Sequence, residues 1–391
     1  MDMSVPKRPR LVPAPAPWTI ADMAPEILLR LPPDDPARLV RASLVCWRWR
    51  RLLTNPAYLH RYRAFHRTPP MLGFVLNLKQ HFQGMAQLVP TSSFRPAASD
   101  RPGLNVLDAR HGRVLLHTAQ GQRLVVWDPV TGVECKIPSV PSYALGFNAA
   151  VLCAAVGCDH LDCHGGPFRV AFVGCGERGI TFACTYSSEA GAWSQRIEIE
   201  QPASVDGRPS VLVGNTLYFT CDPYINFKML GYDIVRQELT VIWPPSQHEY
   251  YSCTVLVKAE DGTLGFAGVQ NGRLYLWSMK DGPDGDVEWV QRRVIQHKTM
   301  LRTRGLSTPP EVVGFADGHG LIFVRTGNTV FSMELKSGHV CKVYTCRSRN
   351  YDVIVVPYMS FYTPVTMINV VVKLKQDSDG QLVFGIVSLS V

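Results

Sequence analysis

Five cysteine and histidine residues lie close together in the middle of the chain and could bind a metal ion. They are Cys153, Cys158, His160, Cys163 and His164. Structural zinc sites use these ligands, but more often begin with a tight Cys-x-x-Cys pair. Here four residues separate successive cysteines, and Cys153 falls in an apolar run typical of a buried strand. The sequence therefore favours cysteines packed as small apolar residues beside a polar loop, and predicts no metal and no cofactor.

No other pattern of residues indicates catalysis. The chain contains no Gly-x-x-x-x-Gly-Lys phosphate loop, no Gly-x-Ser-x-Gly elbow and no His-Glu-x-x-His helix. A turn explains Gly174-Cys-Gly176 better than a dinucleotide site does. A site built from distant loops stays open, but the sequence itself predicts no enzyme and no catalytic residue.

The composition is that of a folded protein with an uneven distribution of charge. Of the 391 residues, 46% are hydrophobic and 18% are charged, which excludes a mainly disordered chain. Residues 1–70 hold 12 basic and 5 acidic residues, whereas residues 71–391 hold 28 and 27. Almost all of the net charge of +8 therefore belongs to the first fifth of the chain, and this argues against nucleic-acid binding over the whole surface.

Cysteine usage and hydropathy predict the compartment. Eleven cysteines, an odd number, in a chain without a signal-like apolar run indicate reduced thiols. The uncharged stretch Val353–Val372 contains Pro357 and Pro364 and is rich in β-branched residues, so it favours strands over a membrane helix. We expect a cytoplasmic and/or nuclear protein with no membrane partner.

Three segments follow one another along the chain. Residues 1–17 are predicted to be a disordered basic, proline-rich tail, in which Pro6–Arg10 is either a nuclear-import signal or a solvated tail. Residues 18–66 show helical spacing, broken at Pro32-Pro33 and Asn55-Pro56. Residues 71–391 change to short alternating strands with glycine turns. The predicted fold class is α+β multidomain, a small N-terminal helical domain before a large all-β domain.

A recurrent unit within the second domain predicts a β-propeller. Aromatic or apolar residues followed by a polar residue recur at intervals of 105, 45 and 56 residues, and a further unit near Trp193 divides the first interval. The four dipeptides are Trp127-Asp128, Tyr232-Asp233, Trp277-Ser278 and Met333-Glu334. Units of this length made of short strands are typical of propeller blades, whereas a β-sandwich of about 320 residues would be large. We expect strands near Leu72–Leu78 and Leu382–Ser390 to close the ring.

Aromatic residues between the predicted strands are candidates for ligand recognition. Packing between blades is the alternative that the sequence favours for each of them. These residues are Tyr224, Phe227, Tyr250, Tyr251, Tyr358, Phe361 and Tyr362.

Three stretches of the helical segment form one recognisable motif: Pro25–Pro32, Leu39–Cys46 and Trp49–Leu53. With these residues the segment resembles an F-box, through which substrate receptors join SCF-type (Skp–cullin–F-box) E3 ubiquitin ligases. The rest resembles the F-box-associated β-propeller of large grass F-box families, including Arg61–Pro70 and Cys163–Phe168. The segment departs from the family pattern at two places. It reads Met23-Ala24-Pro25 where Leu-Pro is usual, and it has Trp47 where lysine is common. We therefore expect weakened rather than abolished adaptor binding.

The resemblance implies a non-catalytic substrate receptor that binds a Skp-type adaptor and, through it, a cullin–RING ligase, while the propeller holds an unknown protein substrate. An apolar stripe too large for a fifty-residue core, surrounded by arginines, suits the groove of an acidic partner. There are two alternatives. The chain could be a scaffold without ubiquitin transfer, or it could be a carbohydrate- or small-molecule-binding propeller with a vestigial helical module.

Eight residues are carried over to the adaptor interface or to the core directly behind it. The alternative is that all eight belong to the internal core. For Val45 and Trp49, the helical spacing alone does not decide between the core and the interface. The eight are Pro25, Ile27, Leu28, Leu31, Leu39, Leu44, Val45 and Trp49.

Overall fold

The computed structural model describes residues 20–363, except for 81–82, 97, 119–121, 177–178, 222–226, 246–251, 282–286, 298–308 and 347–352. In this part of the chain, four helices precede a series of antiparallel strands that form six sheets. The predicted basic tail lies outside the described residues, as do residues 382–390. None of the helices in the described part combines the length and the hydropathy needed to cross a bilayer.

The helical module is built from four short helices, two of which have a side-chain cap at the first turn. Asp35 Oδ1 accepts a hydrogen bond from the Ala37 amide at 3.2 Å, and Asn55 Oδ1 accepts one from the Tyr58 amide at 3.2 Å. A proline follows each of these caps at the first helical position, where its missing N–H costs nothing. The helices are α1 (Ile20–Leu29), α2 (Pro36–Val45), α3 (Trp47–Leu53) and α4 (Pro56–His66).

Six sheets of four or five strands follow and form a six-bladed β-propeller, which confirms the predicted fold class and excludes the sandwich. Blade 1 contains β1 (Met71–Gln80), β2 (Gln83–Pro90), β3 (Asp100–Pro102) and the last strand, β25 (Val353–Met359). Blade 2 contains β4 (Leu104–Arg110), β5 (Arg113–Thr118), β6 (Leu124–Trp127) and β7 (Glu134–Lys136). Blade 3 contains β8 (Gly146–Cys153), β9 (Phe168–Cys175), β10 (Thr181–Ser187), β11 (Ala192–Trp193) and β12 (Ile197–Ile199).

The remaining three blades have four strands each. Blade 4 contains β13 (Val211–Val213), β14 (Thr216–Cys221), β15 (Lys228–Asp233) and β16 (Glu238–Ile242). Blade 5 contains β17 (Ser252–Lys258), β18 (Leu264–Gln270), β19 (Arg273–Asp281) and β20 (Val287–Gln296). Blade 6 contains β21 (Glu311–Ala316), β22 (Leu321–Thr326), β23 (Thr329–Glu334) and β24 (Val340–Thr345).

Each blade buries both of its faces against its two neighbours. In β6, Leu124 and Val126 pack toward blade 3, while Val125 and Trp127 pack toward blade 1. Because side chains alternate along a strand, a blade covered on both sides needs an unbroken apolar run. Six separate apolar clusters, one between each pair of adjacent blades, make up the core of the propeller.

The recurrent dipeptides lie on the third strands of their blades. Asp128 Oδ1 accepts hydrogen bonds from the amides of Val130 and Thr131, and Asp233 Oδ1 accepts them from Val235 and Arg236. A carboxylate at this position closes the turn that leads into the fourth strand. The repeat therefore reflects a turn used in more than one blade.

The ring closes through β25, which pairs with the free edge of β1. Val355 lies opposite Leu76, and β2 occupies the other edge of β1. The expected partner near Leu382–Ser390 was therefore wrong. The closing strand begins the apolar stretch Val353–Val372 and is the first strand after blade 6 in the chain.

We predict that ring closure depends on the burial of Val355, which is fully inaccessible between blades 1 and 6. Val355→Asp would place an unpaired charge there and should lower the free energy of unfolding by at least about 3 kcal/mol. The matched control Val235→Asp, at an exposed turn position, should stay within about 0.5 kcal/mol of the parent. Urea unfolding followed by tryptophan fluorescence measures both, and equal effects would contradict this closure.

Candidate functional site

The helical module exposes apolar side chains where α2 meets α3. Leu44, Val45 and Trp47 are 70%, 65% and 66% exposed, and we call them the α2–α3 apolar surface. Cys46 between the two helices is extended, with φ −159° and ψ 163°, so it ends α2 and separates it from α3. The arginines on this part of the module are exposed as well: Arg41, Arg48, Arg50 and Arg51. Large apolar side chains grouped at a surface are typical of a protein interface.

The eight residues assigned from the sequence fall into three groups. Leu28 and Leu39 are buried in the module's own core, and Pro25, Leu31 and Trp49 are half-buried. The remaining three, Ile27, Leu44 and Val45, are exposed, so the alternative that all eight are internal core is wrong. Trp47, treated as a departure from the motif, is exposed beside Val45. The helical spacing of apolar residues in the sequence does not distinguish the buried, half-buried and exposed residues among the eight.

A loop of blade 3, residues 154–167, supports the helical module, and we call it the docking loop. Arg63 of α4 forms an ion pair with Asp162 at 2.7 Å, and His60 Nε2 lies 3.2 Å from an Asp159 carboxylate oxygen. Leu161 packs against the apolar core of the module, as does Phe361, which follows β25. The propeller therefore holds the module through α4 and its core.

A second contact between module and propeller lies at the start of α2. The Ser93 hydroxyl donates to Asp35 Oδ1 at 2.6 Å and accepts a hydrogen bond from the Ala37 amide at 3.0 Å. The Ser93 hydrogen bond lowers the pKa of Asp35, although partial burial opposes this. These contacts leave the α2–α3 apolar surface uncovered.

Buried polar groups of blade 2 fix the inner side of the docking loop. The Arg113 guanidinium donates to the backbone oxygens of Cys163 and Gly166. His164 Nδ1 lies 2.7 Å from Asp128 Oδ2, and His164 Nε2 lies 2.9 Å from the Ser360 hydroxyl. Burial acts to raise the pKa of Asp128, but the hydrogen bond and charge of His164 lower it below its usual value. The loop is thus tied to both blade 2 and the segment after β25.

Four of the five cysteine and histidine residues singled out from the sequence meet within this loop. The ligand atoms of Cys153, Cys158, His160 and Cys163 all lie within 4.8 Å of one another. Burial and the neighbouring thiols raise the pKa of Cys163 well above its usual value. The fifth, His164, is engaged with Asp128 instead.

The four ligand atoms come together although the spacing of the cysteines in the sequence differs from that of a common zinc site. Cys153 is the last residue of β8 and only half-buried, so its side chain reaches the loop rather than the interior of a sheet. Gly157 and His160 both adopt positive φ, 66° and 60°, which folds the loop back on itself. The sequence singled out these residues, but their spacing counted against a metal site, because spacing alone does not show that a compact loop brings their ligand atoms together.

The candidate aromatic residues mostly serve packing. Tyr358 and Phe361 are buried, Tyr362 packs on the cluster between blades 1 and 2, and Phe227 packs between blades 4 and 5. Tyr224, Tyr250 and Tyr251 lie outside the described residues. Exposed aromatic residues occur elsewhere, at Tyr143 (70%) and Trp243 (56%), neither of which the strand pattern had singled out.

Comparison with protein families assigns both parts of the chain. Residues 105–366 match the family described as "F-box protein AT5G49610-like, beta-propeller", and residues 22–61 match the F-box domain. The first match covers more than half of the chain, and the second covers most of the helical module.

Individual relatives are distant. The putative F-box/kelch-repeat protein At3g17570 of Arabidopsis thaliana is 24% identical over 224 residues, which are 55% of this chain and 56% of that protein. The chain thus spans little more than half the length of this relative. Among solved structures, a nidogen/laminin complex is similar with a TM-score of 0.41 and 11% identity, covering 74% of this chain and 99% of that one. TolB from Acinetobacter baumannii is similar with a TM-score of 0.40 and 13% identity, covering 78% and 68%.

We predict that the Arg63–Asp162 pair contributes to the docking of the helical module. The Arg63 side chain is only 11% exposed, so the pair is screened less than an exposed one. A double-mutant cycle with Arg63→Ala and Asp162→Ala should give a coupling free energy of about 1–2 kcal/mol in urea unfolding. The exposed pair Arg292–Asp261, treated in the same way, should give less than about 0.5 kcal/mol. Equal couplings would show that the contact is incidental.

Proposed function

This chain belongs to the family of F-box proteins with an AT5G49610-like β-propeller, and on that premise we propose that it is the substrate-receptor subunit of an SCF-type ubiquitin ligase. The F-box implies an adaptor of the Skp type as its partner. Through that adaptor the chain would join a cullin–RING assembly. The narrower assignment to the grass-type subset is part of this proposal and rests on segments such as Arg61–Pro70.

The observation that carries the proposal is the α2–α3 apolar surface. Leu44, Val45 and Trp47 are well exposed although the core of their module is filled, with Leu161 and Phe361 of the propeller completing it. Exposed apolar residues of this size gain free energy when a partner covers them. The propeller holds the module on its α4 side and at the start of α2, which leaves this surface available to a second protein.

The exposed arginines around this surface indicate the charge of the partner. Complementary charge at the rim of an interface accelerates association and selects the correct partner. We therefore infer that the adaptor presents an apolar groove bordered by acidic residues. In this proposal, the assigned residues that are buried, Leu28 and Leu39, support the interface from behind.

The propeller is the proposed binding module for a target protein. We assign residues 18–66 to the adaptor and residues 71–391 to target recognition. Strand β8 begins at Gly146 and ends beside the docking loop, so the exposed residues Tyr143 and Leu145 lie near the opposite end of that strand. Among the described residues, the contacts that hold the helical module involve the docking loop, Ser93 and Phe361, so a target bound near Tyr143 would lie away from the module in this proposal.

The chain would act by proximity and perform no bond chemistry itself. Holding a target near a ubiquitin-charged enzyme lowers the entropic cost of their encounter. The proposal places the protein in the cytosol or the nucleus, without nucleic-acid or membrane partners. The unidentified element is the target protein.

The first prediction from this proposal concerns adaptor binding. In the full chain, Leu44→Asp/Val45→Asp should weaken binding to purified Skp-type adaptor by at least about 30-fold, because a charge would enter a desolvated apolar contact. Isothermal titration calorimetry measures this directly. Leu28 is unsuitable for such a test, since it is fully buried and its charged variant would unfold the module.

The matched control is Val235→Asp/Val287→Asp, which introduces the same charges at exposed valines of the propeller. It should bind the adaptor as the parent does. Circular dichroism should show both variants folded. Equal binding by both variants would remove the α2–α3 apolar surface from the proposed interface. No binding by the parent chain would favour the propeller with a vestigial helical module.

The second prediction separates a ligase subunit from a scaffold. The parent chain, assembled with adaptor, cullin–RING complex and ubiquitin-charged conjugating enzyme, should become ubiquitinated on its own lysines, because receptors are held within reach of the enzyme. The Leu44→Asp/Val45→Asp variant should not. Stable assembly without any ubiquitin transfer would favour the scaffold.

A further inference from the structure

The docking loop and the last residue of β8 together contain a set of side chains that neither the fold nor the proposed function uses. Cys153, Cys158, His160 and Cys163 offer three sulfur atoms and one imidazole nitrogen within 4.8 Å of one another. Cysteines that only fill space are normally dispersed among apolar neighbours. Here polar or ionisable ligand atoms converge on one point at the edge of blade 3.

Two of the separations between these atoms match those around a tetrahedral zinc ion, and the others stay within 4.8 Å. With Zn–S of about 2.3 Å and Zn–N of about 2.0–2.1 Å, tetrahedral angles require S···S near about 3.8 Å and S···N near about 3.6 Å. The Sγ atoms of Cys158 and Cys163 lie 3.6 Å apart, and Cys163 Sγ lies 3.7 Å from His160 Nδ1. We propose that Cys153, Cys158, His160 and Cys163 form a structural zinc site that fixes the docking loop.

The ligand set selects the metal. Thiolate and imidazole ligands suit zinc, whereas calcium and magnesium require oxygen. Four protein ligands leave no open position, which is the arrangement of a structural site rather than a catalytic one. On binding zinc, the three thiols would release their protons to solvent, and the two positive charges of Zn²⁺ would offset all but one of the three thiolate charges.

The surroundings supply an outer shell for such a site. The Arg113 guanidinium donates to the backbone oxygen of Cys163 and so places positive charge beside this ligand residue. The ring of His111 lies against the ring of His160, with centroids 4.4 Å apart. Contacts of this kind orient metal ligands and are a regular part of structural sites.

The zinc ion would hold the helical module in place through the docking loop. Asp159 lies next to the ligand His160, and Leu161 and Asp162 lie between His160 and Cys163. These three residues contact α4 and the core of the module. A metal that clamps the loop therefore determines how rigidly the module sits on the propeller. This inference stands on the loop geometry and does not depend on the proposed function.

The test is the metal content of the full chain, purified under reducing conditions with zinc present and then dialysed. Inductively coupled plasma mass spectrometry should find one zinc ion per chain. Cys158→Ser should lose it, whereas the matched control Cys341→Ser, an exposed cysteine on blade 6, should keep it. Replacement by Co²⁺ should give the visible absorption of a tetrahedral thiolate site in the parent and not in Cys158→Ser.

A second readout on the parent chain guards against loss of folding in the variant. Removal of zinc with a chelator should leave the far-ultraviolet circular dichroism of the propeller unchanged but accelerate protease cleavage within residues 154–167 at least tenfold. A folded parent chain that contains no zinc after purification with zinc present, before any chelator is added, would overturn the proposal. So would zinc that remains in Cys158→Ser, or a Cys158–Cys163 disulfide under reducing conditions.

Discussion

The whole molecule depends on one constraint: each blade is apolar on both faces, and only its neighbours can cover them. Six clusters between six pairs of blades satisfy this requirement only when the sheets form a closed ring. The strand that closes the ring, β25, comes from the opposite end of the sequence to its partner β1. Ring closure thus brings the segment after β25, including Ser360 and Phe361, back to the helical module and the docking loop.

The helical module is stabilised from two directions, and this determines what it can bind. Its interior is supplied by its own leucines and tyrosines together with Leu161 and Phe361 of the propeller. With that side occupied, the residues at the α2–α3 junction remain at the surface with arginines around them. The same docking that rigidifies the module therefore defines the face that a partner could use. A cysteine- and histidine-rich loop at the centre of this docking links its rigidity to a metal ion in our proposal.

Much of the fold could be predicted from the sequence because its signals are local. Proline breaks and Asx caps mark the helices. Asp128 and Asp233 mark a turn that occurs before the fourth strand in more than one blade. Contacts between distant residues left no such signal. Arg63 and Asp162 are 99 positions apart, and the closing strand was assigned to residues some thirty positions too late. The candidate site was only partly predictable, because helical periodicity shows which residues are apolar and not which of them, such as Leu28 or Leu44, a fold leaves exposed.

In our proposal, the junction of α2 and α3 is an interface, whereas α4 and the docking loop belong to the body of the protein. Hydrogen–deuterium exchange of the full chain with and without purified Skp-type adaptor tests it most directly. We predict that adaptor slows amide exchange across residues 41–50 and leaves residues 154–167 and blades 4 to 6 unchanged. Protection confined to the propeller, or no protection anywhere at saturating adaptor, would contradict the account.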